Sequence, residues 1–289
     1  MKLLMLINAK SGMKNSKAQL LDVLDIFSKN GFNITVYITQ KHNDAREYLQ
    51  NNRIKYDVVC VFGGDGTMNE VTDALMKKKH KPLLAYFPSG TMNDFGSNFD
   101  LGTDFVKIAQ KVCKGKTRSF DVGKFNNQHF NYVAAFGAMC DVPFTTKRDA
   151  KEILGNLAYI VEGISKLPEI KKNKVTYTIN GKTYKSDVLF GLIYSGNRVA
   201  GMELESKRKA AIDDGLFNVL IVDYVPTIFE APDLISTIIQ QDKYIHRFRT
   251  DHIVLEYSDK VIWTLDGEEA KAKNKVEISM CNKALKLII

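Results

Sequence analysis

The segment Gly63-Gly64-Asp65-Gly66-Thr67 does most to limit the folds open to this chain. It directly follows Val58–Phe62, an apolar and β-branched run typical of a strand that is covered on both faces. A helical pattern begins just behind it. Adjacent glycines let the main chain approach a ligand closely, and amides at a helix N-terminus favour phosphate oxygens. Because α/β folds bind ligands beyond the carboxyl ends of parallel strands, we predict a phosphate-binding loop in such a fold.

Asp65 is unusual in a loop that would bind only an anion. It suggests a ribose hydroxyl, a bound magnesium ion or ordered water beside the phosphates. The loop is not a Walker A loop, since no Gly-Lys-Ser/Thr follows, and it does not match the GxGxxG dinucleotide fingerprint. A tight strand-to-helix turn that uses glycine for geometry alone is the alternative.

Short apolar runs alternate with helical patterns over residues 1–121. Strands are predicted at Leu3–Ile7, Ile34–Ile38, Val58–Phe62 and Leu83–Phe87. Helices are predicted at Lys17–Asn30, Asn43–Leu49, Asn69–Lys78 and Thr103–Lys114, with Asn43 and Thr103 as N-caps and Gly115 as a stop. This alternation implies right-handed βαβ crossovers, so we expect an α/β, Rossmann-like parallel sheet domain.

The pattern changes in residues 122–289, where strand-like runs follow one another with few helices. Strands are predicted at Val175–Ile179, Val188–Tyr194, Phe217–Val222, Ile253–Tyr257, Val261–Leu265 and Val276–Met280. Asn180-Gly181 predicts a type I′ hairpin turn, and helical insertions are predicted at Lys151–Leu167 and Pro232–Tyr244. We expect a β-sandwich-like second domain, whose last residues could pack back on the first.

Charge and composition narrow the class of protein. The chain has 41 Lys+Arg against 33 Asp+Glu, a formal net charge of +8 that favours anionic partners. The four cysteines show no metal-ligand spacing. The apolar run near the start, Leu3–Ile7, is shorter than a signal-peptide core, and no run approaches the ~18 apolar residues of a membrane-spanning helix. We expect a soluble, cytoplasmic protein whose membrane contact is peripheral.

Six short motifs resemble one family. Besides the glycine loop and Asn69-Glu70-Val71 behind it, they are Asn8-Ala9-Lys10-Ser11-Gly12, Pro88-Ser89-Gly90-Thr91-Met92-Asn93-Asp94-Phe95, Gly155-Asn156-Leu157-Ala158-Tyr159, Asp213-Asp214-Gly215-Leu216-Phe217 and Asp266-Gly267-Glu268. Their types and order resemble the bacterial diacylglycerol kinase-like lipid kinases, relatives of NAD kinases and phosphofructokinases. The resemblance spans nearly the whole chain.

The resemblance implies an ATP-binding set that surrounds the phosphates. Its members are Asn8, Ala9, Lys10, Ser11, Gly12, Thr39, Gly63, Gly64, Asp65, Gly66, Thr67, Met68, Asn69, Glu70, Gly90 and Thr91. It also implies that Asp266 is the general base for the acceptor hydroxyl, and we expect Glu268 to orient this base or to join an acidic network.

Two magnesium sites are expected. Asp65, Asp94 and Asp121 end or closely follow strands of the first domain, and their like charges favour a bound cation. We therefore predict a magnesium–water network there, which the resemblance supports. The resemblance also implies a second, structural site formed by the carboxylate of Asp214 and the carbonyls of Ala211 and Leu216, although a turn before a strand is the alternative.

The expected function is transfer of phosphate from ATP to a lipid hydroxyl, first of all diacylglycerol, giving phosphatidic acid. Phosphatidylglycerol or a sphingoid base as acceptor, an NAD kinase, and a nucleotide-binding regulator without turnover are the alternatives. The basic clusters Lys77–Lys81, Lys171–Lys174 and Lys207–Lys209 could dock on an anionic membrane or could be ordinary solvated surface. We expect no nucleic-acid partner, since no such binding module is recognisable. The sequence leaves the oligomeric state open.

Overall fold

The structure is a computed structural model of the 289-residue chain. It describes residues 1–11, 19–141, 171–196, 198–199, 201–203, 211–225 and 243–289. The predicted helices at Lys151–Leu167 and Pro232–Tyr244 and the motif at Gly155–Tyr159 therefore lie wholly or mostly outside the described residues. Among the described residues, no helix is long and apolar enough to cross a membrane.

The described chain divides into two compact units. The first contains Met1–Val122, Gln128–Asn131 and Cys281–Ile289, and the second contains Gly123–Asn127 and Tyr132–Met280. Sequence analysis placed the domain boundary after residue 121. The end of the chain, for which sequence analysis expected packing on the first domain, is assigned to the first unit.

A parallel sheet forms the centre of the first unit. Its strands are β1 (Lys2–Ile7), β2 (Asn33–Ile38), β3 (Val58–Gly63) and β4 (Leu83–Pro88). They lie in the order β2-β1-β3-β4, and Leu287 near the chain end pairs in parallel with Leu84 of β4. The predicted α/β sheet is confirmed.

Five helices accompany this sheet. They are α1 (Leu20–Lys29), α2 (Asp44–Asn51), α3 (Asp65–Met76), α4 (Asp94–Ser97) and α5 (Phe105–Lys114). Phe27 of α1 and Phe105 of α5 belong to the same buried core as Phe62 and Phe87, whose rings stack 4.0 Å apart. Burial of these aromatic faces fixes both helices against the sheet.

Two predicted helix starts need correction. The cap of α5 is Asp104, not Thr103, because the Asp104 carboxylate accepts the main-chain amide of Lys107. Helix α3 begins at Asp65, four residues before the predicted start, so the glycine loop itself becomes the first turn of the helix.

The second unit is rich in antiparallel strands, which confirms the predicted class. Strand β5 (Thr117–Phe125) runs from the first unit into the second, and β6 (Gln128–Phe130) belongs to the first unit. The strands that follow along the chain are β7 (Val133–Gly137), β8 (Asn173–Ile179), β9 (Lys182–Tyr194), β10 (Arg198–Val199), β11 (Met202–Glu203), β12 (Phe217–Asp223), β13 (Ile245–Thr250), β14 (His252–Tyr257), β15 (Trp263–Leu265), β16 (Glu268–Ala270) and β17 (Lys275–Ile288). The part of β17 from Cys281 onward belongs to the first unit. A short 3-10 helix, Ala138–Asp141, follows β7.

The order of strands in the second unit is β16-β15-β7-β9-β8-β14-β17, and β9 also pairs with β12, which pairs with β13. The β8–β9 hairpin turns at Asn180-Gly181, where φ is 51° and 74°. Positive φ at both central residues is the geometry of a type I′ turn, as the Asn-Gly pair predicts.

Candidate active site

The glycine loop makes close main-chain contact with the loop behind β4. A β-carbon built on Gly90 would lie 2.6 Å from the Cα of Gly64, and one built on Gly63 would lie 2.6 Å from Thr67 Oγ1. A larger residue at Gly90 would therefore push the two loops apart, and one at Gly63 would displace the Thr67 side chain. Because these glycines have no side chains, they do not cover the main-chain amides in the first turn of α3. Phosphate oxygens can therefore approach these amides.

Side-chain hydrogen bonds join the loops behind β1, β3 and β4. Asn8 Nδ2 donates to Thr67 Oγ1 at 3.0 Å, and the hydroxyls of Ser11 and Ser89 lie 2.7 Å apart. Ser11 Oγ also donates to the carbonyl of Asn8. These contacts bring together three of the predicted nucleotide-binding loops within the first unit.

Asn93 holds the Gly90 loop in shape. Its Oδ1 accepts the main-chain amide of Gly90, and its Nδ2 donates to the Gly90 carbonyl, both at 2.8 Å. Asn93 itself has a φ of 55°, which asparagine tolerates better than most residues. Sequence analysis quoted Asn93 only as part of a motif and missed this role.

The carboxylate of Asp65 is the N-terminal cap of α4. Its two oxygens accept the main-chain amides of Asp94 at 3.2 Å and Phe95 at 3.1 Å. Burial raises the pKa of the Tyr86 phenol, and the negative charges of Asp65 and Asp94 raise it further. Asp65 and Asp94 thus form one acidic centre beside the glycine loop.

Asp121 has a different main-chain partner. Its Oδ1 accepts the amide of Lys283 at 2.6 Å, within the first unit. The described residues contain no group of three or more His, Cys, Asp or Glu side chains placed to hold a metal ion. A magnesium ion here would therefore need other oxygen ligands.

Other members of the predicted ATP-binding set have structural roles. Glu70 accepts the main-chain amides of Asn43 at 2.9 Å and Ala45 at 3.1 Å, and so caps α2 in place of the Asn43 side chain. Asn69 Nδ2 donates to the carbonyl of His129. Met68 is fully buried in the core.

The remaining predicted contacts lie around the loops. Thr39 follows β2 and donates its amide to the Ile7 carbonyl at 2.9 Å. Lys10 donates its amide to Asn8 Oδ1. Ala9 and Thr91 are exposed, Gly66 lies in the first turn of α3, and Gly12 falls outside the described residues.

Asp266 lies in the second unit at the tip of the β15–β16 hairpin. Asp266 and Gly267 have φ of 50° and 90°, so the Asp-Gly pair forms a tight turn with positive φ at both positions. Hairpin tips are commonly solvated, but Asp266 is only 4% exposed. Its Oδ1 accepts the main-chain amides of Tyr132 at 3.0 Å and Val133 at 3.1 Å.

These two amides fix the direction of the Asp266 carboxylate. Glu268, expected to orient it, is exposed, and its side chain makes no hydrogen bond or ion pair with any residue that the structure describes. Sequence analysis missed the amides because main-chain donors leave no mark on residue type.

The Asp214 carboxylate is paired with an arginine. Its Oδ2 lies 2.5 Å from Nη2 of Arg249, and its Oδ1 accepts the main-chain amide of Leu216 at 3.0 Å. A divalent cation at Asp214 would have to displace the guanidinium. The donor set around Asp214 thus does not fit the second metal site that the resemblance implies.

The sequence of this chain is similar to a known protein family and to known proteins. The family model for the diacylglycerol kinase catalytic domain matches residues 2–125. A diacylglycerol kinase from Staphylococcus saprophyticus is 34% identical over 217 residues, which cover 75% of this chain and 71% of that protein. One from Staphylococcus carnosus is 33% identical over 219 residues, covering 74% and 70%.

The chain belongs to the diacylglycerol kinase family. It is therefore an enzyme of the lipid kinase class. A diacylglycerol kinase structure from Bacillus anthracis superposes on 99% of this chain and 96% of that one with a TM-score of 0.75. Its sequence identity of 21% shows a shared fold only. The glycine loop lies in the part of the chain that the diacylglycerol kinase family model matches. The same part contains Asn93, which bonds to Gly90, and Asp65, which bonds to the amides at the start of α4.

Proposed function

We propose that this chain transfers the terminal phosphate of ATP to the hydroxyl of diacylglycerol and so forms phosphatidic acid. The acceptor is inferred from the names of the relatives in Staphylococcus. The observation that carries the proposal is the contact between Gly64 and Gly90, which holds two glycine loops together at the start of α3, where main-chain amides favour phosphate oxygens.

The chain's contribution to ATP binding is a preorganised set of donors. The amides of the first turn of α3 would bind phosphate oxygens, supported by the loops of Asn8–Ser11 and Gly90–Thr91. Because Asn8, Thr67, Ser11 and Ser89 already hold these loops together, little ordering is needed when ATP binds.

Asp266 is the proposed general base. The amides of Tyr132 and Val133 hold its Oδ1, which would present the carboxylate to the acceptor hydroxyl in one direction. A carboxylate with an ordinary pKa of about 3.9 is a weak base, so its efficiency depends on being positioned within hydrogen-bond reach. The proton of the acceptor hydroxyl would pass to Asp266 as the hydroxyl oxygen attacks the terminal phosphorus, and ADP would leave as the bond between that phosphorus and the bridging oxygen breaks.

Mg²⁺ is the proposed metal, held by Asp65 and Asp94 together with oxygens of the phosphates. Mg²⁺ in kinases commonly takes one or two carboxylates and completes its shell with phosphates and water. The pair of carboxylates beside Tyr86 fits this requirement, and we retain Asp121 as a third member of the acidic network. When bound, the ion offsets the negative charge of the phosphates.

The proposed location of the reaction is the cytoplasmic face of an anionic membrane, to which the enzyme would bind transiently. Long-chain diacylglycerol resides in the bilayer, and each Lys or Arg near an anionic surface adds about 1 kcal/mol of attraction. The formal net charge of +8 favours this partner.

A phosphate-transfer assay tests the proposal. Purified protein, labelled ATP and Mg²⁺ are incubated separately with diacylglycerol, phosphatidylglycerol, sphingosine and NAD, and a reaction without acceptor gives the background. We expect label in phosphatidic acid. Label in phosphatidylglycerol or sphingosine alone would move the acceptor to another lipid, label in NAD alone would move the chain to another enzyme class, and no label anywhere would contradict the kinase proposal.

A further inference from the structure

A pocket of about 350 Å³ lies at the opposite edge of the parallel sheet from the glycine loop. Val59 lines it at the start of β3, and Pro82 lines it just before β4. The glycine loop and Gly90 follow the carboxyl ends of the same two parallel strands. A six-residue strand spans about 20 Å, so the pocket is separate from the proposed ATP site.

Apolar side chains form one wall of this pocket. Leu49 of α2 and Leu75 of α3 line it together with Tyr56, Val59 and Pro82. Ile54 also lines the pocket, and its side chain is 52% exposed. In the sequence it stands between the cationic residues Arg53 and Lys55. An exposed isoleucine beside a concave surface is a site where an apolar group of a ligand could be buried.

Four cationic side chains also line the pocket. They are Arg53, Lys55, Lys78 and Lys79, with His80 beside them. The neutral Gln50 and Asn52 complete the lining, which contains no Asp or Glu. Across the described ranges, none of these four cations forms an ion pair with a carboxylate.

The nearest acidic residues along the chain are engaged elsewhere. Glu47 pairs with Lys41, Asp57 accepts the main-chain amide of Lys2, and Asp73 is buried against His129 and Lys77. Among the described residues, none of these carboxylates forms an ion pair with the four cations of the pocket.

Two of the polar groups are already fixed in position. Lys78 Nζ donates to the Asn52 carbonyl at 3.0 Å, and an ammonium has two further N–H groups to offer. His80 Nε2 lies 2.9 Å from the Tyr56 carbonyl. A carbonyl can only accept, so this nitrogen carries a proton and the ring is held at the pocket edge.

We propose that this pocket binds an amphiphilic phosphate, with the phosphate among Arg53, Lys78 and Lys79 and an alkyl group on the wall that includes Ile54. The class covers alkyl phosphates and phosphomonoester lipids. The site is separate from the proposed ATP-binding loops, and the inference does not rest on the kinase reaction.

Basic residues behind a helix C-terminus also stabilise the helix dipole, and Lys78 and Lys79 follow α3 closely. Arg53 follows the end of α2 in the same way, so among the four cations this role leaves Lys55 unexplained. It also leaves the exposed Ile54 unexplained. A ligand with both a charged and an apolar part accounts for all of these side chains.

Titration calorimetry on the full chain tests the proposal with two probes, octyl phosphate and inorganic phosphate. The variants are Arg53→Gln/Lys79→Gln, Ile54→Ser and the control Lys114→Gln/Lys116→Gln, which removes two exposed lysines elsewhere in the first unit. All substituted side chains are exposed, and thermal unfolding of each variant checks that the fold is kept.

We expect octyl phosphate to bind at least tenfold more tightly than inorganic phosphate. Arg53→Gln/Lys79→Gln should weaken octyl phosphate binding at least tenfold, Ile54→Ser should weaken octyl phosphate but not inorganic phosphate, and the control should match the parent chain. Equal affinity for both probes, with no effect of Ile54→Ser, would show that the pocket binds phosphate without using an alkyl group. That result would contradict the proposal that the ligand is amphiphilic. Binding that ignores Arg53→Gln/Lys79→Gln, or no binding, would overturn the site itself. Phosphate transfer to a lipid is not measured, so a failed kinase assay would leave this result unchanged.

Discussion

Gly64 and Gly90 approach each other through their main chains, with room for no β-carbon between them. A β-carbon on Gly64 would lie 3.1 Å from the Cα of Gly90, and one on Gly90 would lie 2.6 Å from the Cα of Gly64. Neither residue has a positive φ, so the requirement for glycine comes from the close approach alone. Two loops from different strands are thereby held as one surface.

Gly90→Ala is expected to weaken ATP binding at least tenfold. The added methyl group would meet backbone, which cannot rotate away as a side chain can, so the loops must separate and the phosphate-binding amides must move. Met92→Ala is the matched control, because Met92 lies in the same loop and its side chain is 41% exposed. Calorimetric titration with ATP measures both, and equal affinities for the two variants would show that the contact is not needed for binding.

Asp266→Asn is expected to lower turnover at least about 100-fold, the usual contribution of a general base, while ATP affinity stays unchanged. Asparagine tolerates the positive φ at this position, and its Oδ1 can still accept the amides of Tyr132 and Val133, so the hairpin should persist. Asp259→Asn, at an exposed position in the same unit, is the control. Retained turnover in Asp266→Asn would mean that another group accepts the proton.

Glu70→Gln is expected to lower the free energy of unfolding by about 1 to 2 kcal/mol and to leave ATP affinity within twofold. Glu70 accepts charge-assisted hydrogen bonds from two main-chain amides at the start of α2, and such caps contribute about this much. Glu47→Gln is the control, since Glu47 is half exposed and, among the residues that the structure describes, forms an ion pair only with Lys41. Urea unfolding gives the stability. A large loss of ATP affinity without a loss of stability would support a direct nucleotide contact instead.

The sequence predicted the elements of the parallel sheet well because burial on both faces produces uninterrupted apolar runs such as Val58–Phe62. Shorter strands such as β6 and β16 escaped prediction, since three residues carry too little periodicity. The misplaced cap at Thr103 has a similar cause. Thr103 and Asp104 are both good caps, and only the geometry selects the residue whose oxygen reaches the Lys107 amide.

Motifs identified the loops of the candidate site but not the task of each residue within them. Glu70 belongs to the motif behind the glycine loop, yet its carboxylate faces the amides of a different helix. The arginine beside Asp214 comes from β13, 35 residues further along the chain, and no local pattern could reveal it. Contacts of this kind depend on how distant elements pack.

Arg249→Ala is expected to make the melting temperature depend on Mg²⁺. In the parent chain the guanidinium occupies the Asp214 carboxylate, so added Mg²⁺ or EDTA should leave the melting temperature unchanged in the absence of nucleotide. Removal of the arginine costs at most about 1 kcal/mol, because the pair is partly exposed, and it opens the carboxylate to a cation. Asp214→Asn/Arg249→Ala is the control and should not respond to Mg²⁺. A parent chain destabilised by EDTA would show that Asp214 binds a metal despite Arg249.

Asp73 is expected to make the first unit sensitive to acid. Burial raises the pKa of this carboxyl, but hydrogen bonds from His129 and Lys77 and the charges of Lys77 and Arg46 outweigh that effect and hold the pKa below its usual range. The folded pKa therefore lies below the unfolded value of about 3.9. The ionised group stabilises the fold above that pH, and the contribution disappears as the pH falls through the folded pKa.

Urea unfolding between pH 6 and about 3 measures this effect. The parent chain should lose stability as the pH falls below about 4, and Asp73→Asn should be less stable at pH 6 but show a flatter dependence in the acid range. Asp25→Asn is the control, because Asp25 is 57% exposed and pairs with Lys29 alone within the described part of the chain. Its removal should leave the pH dependence of stability as in the parent chain. If Asp73→Asn instead keeps the full acid slope, the loss of stability must come from other carboxylates, and the buried contacts of Asp73 with His129, Lys77 and Arg46 do not control it.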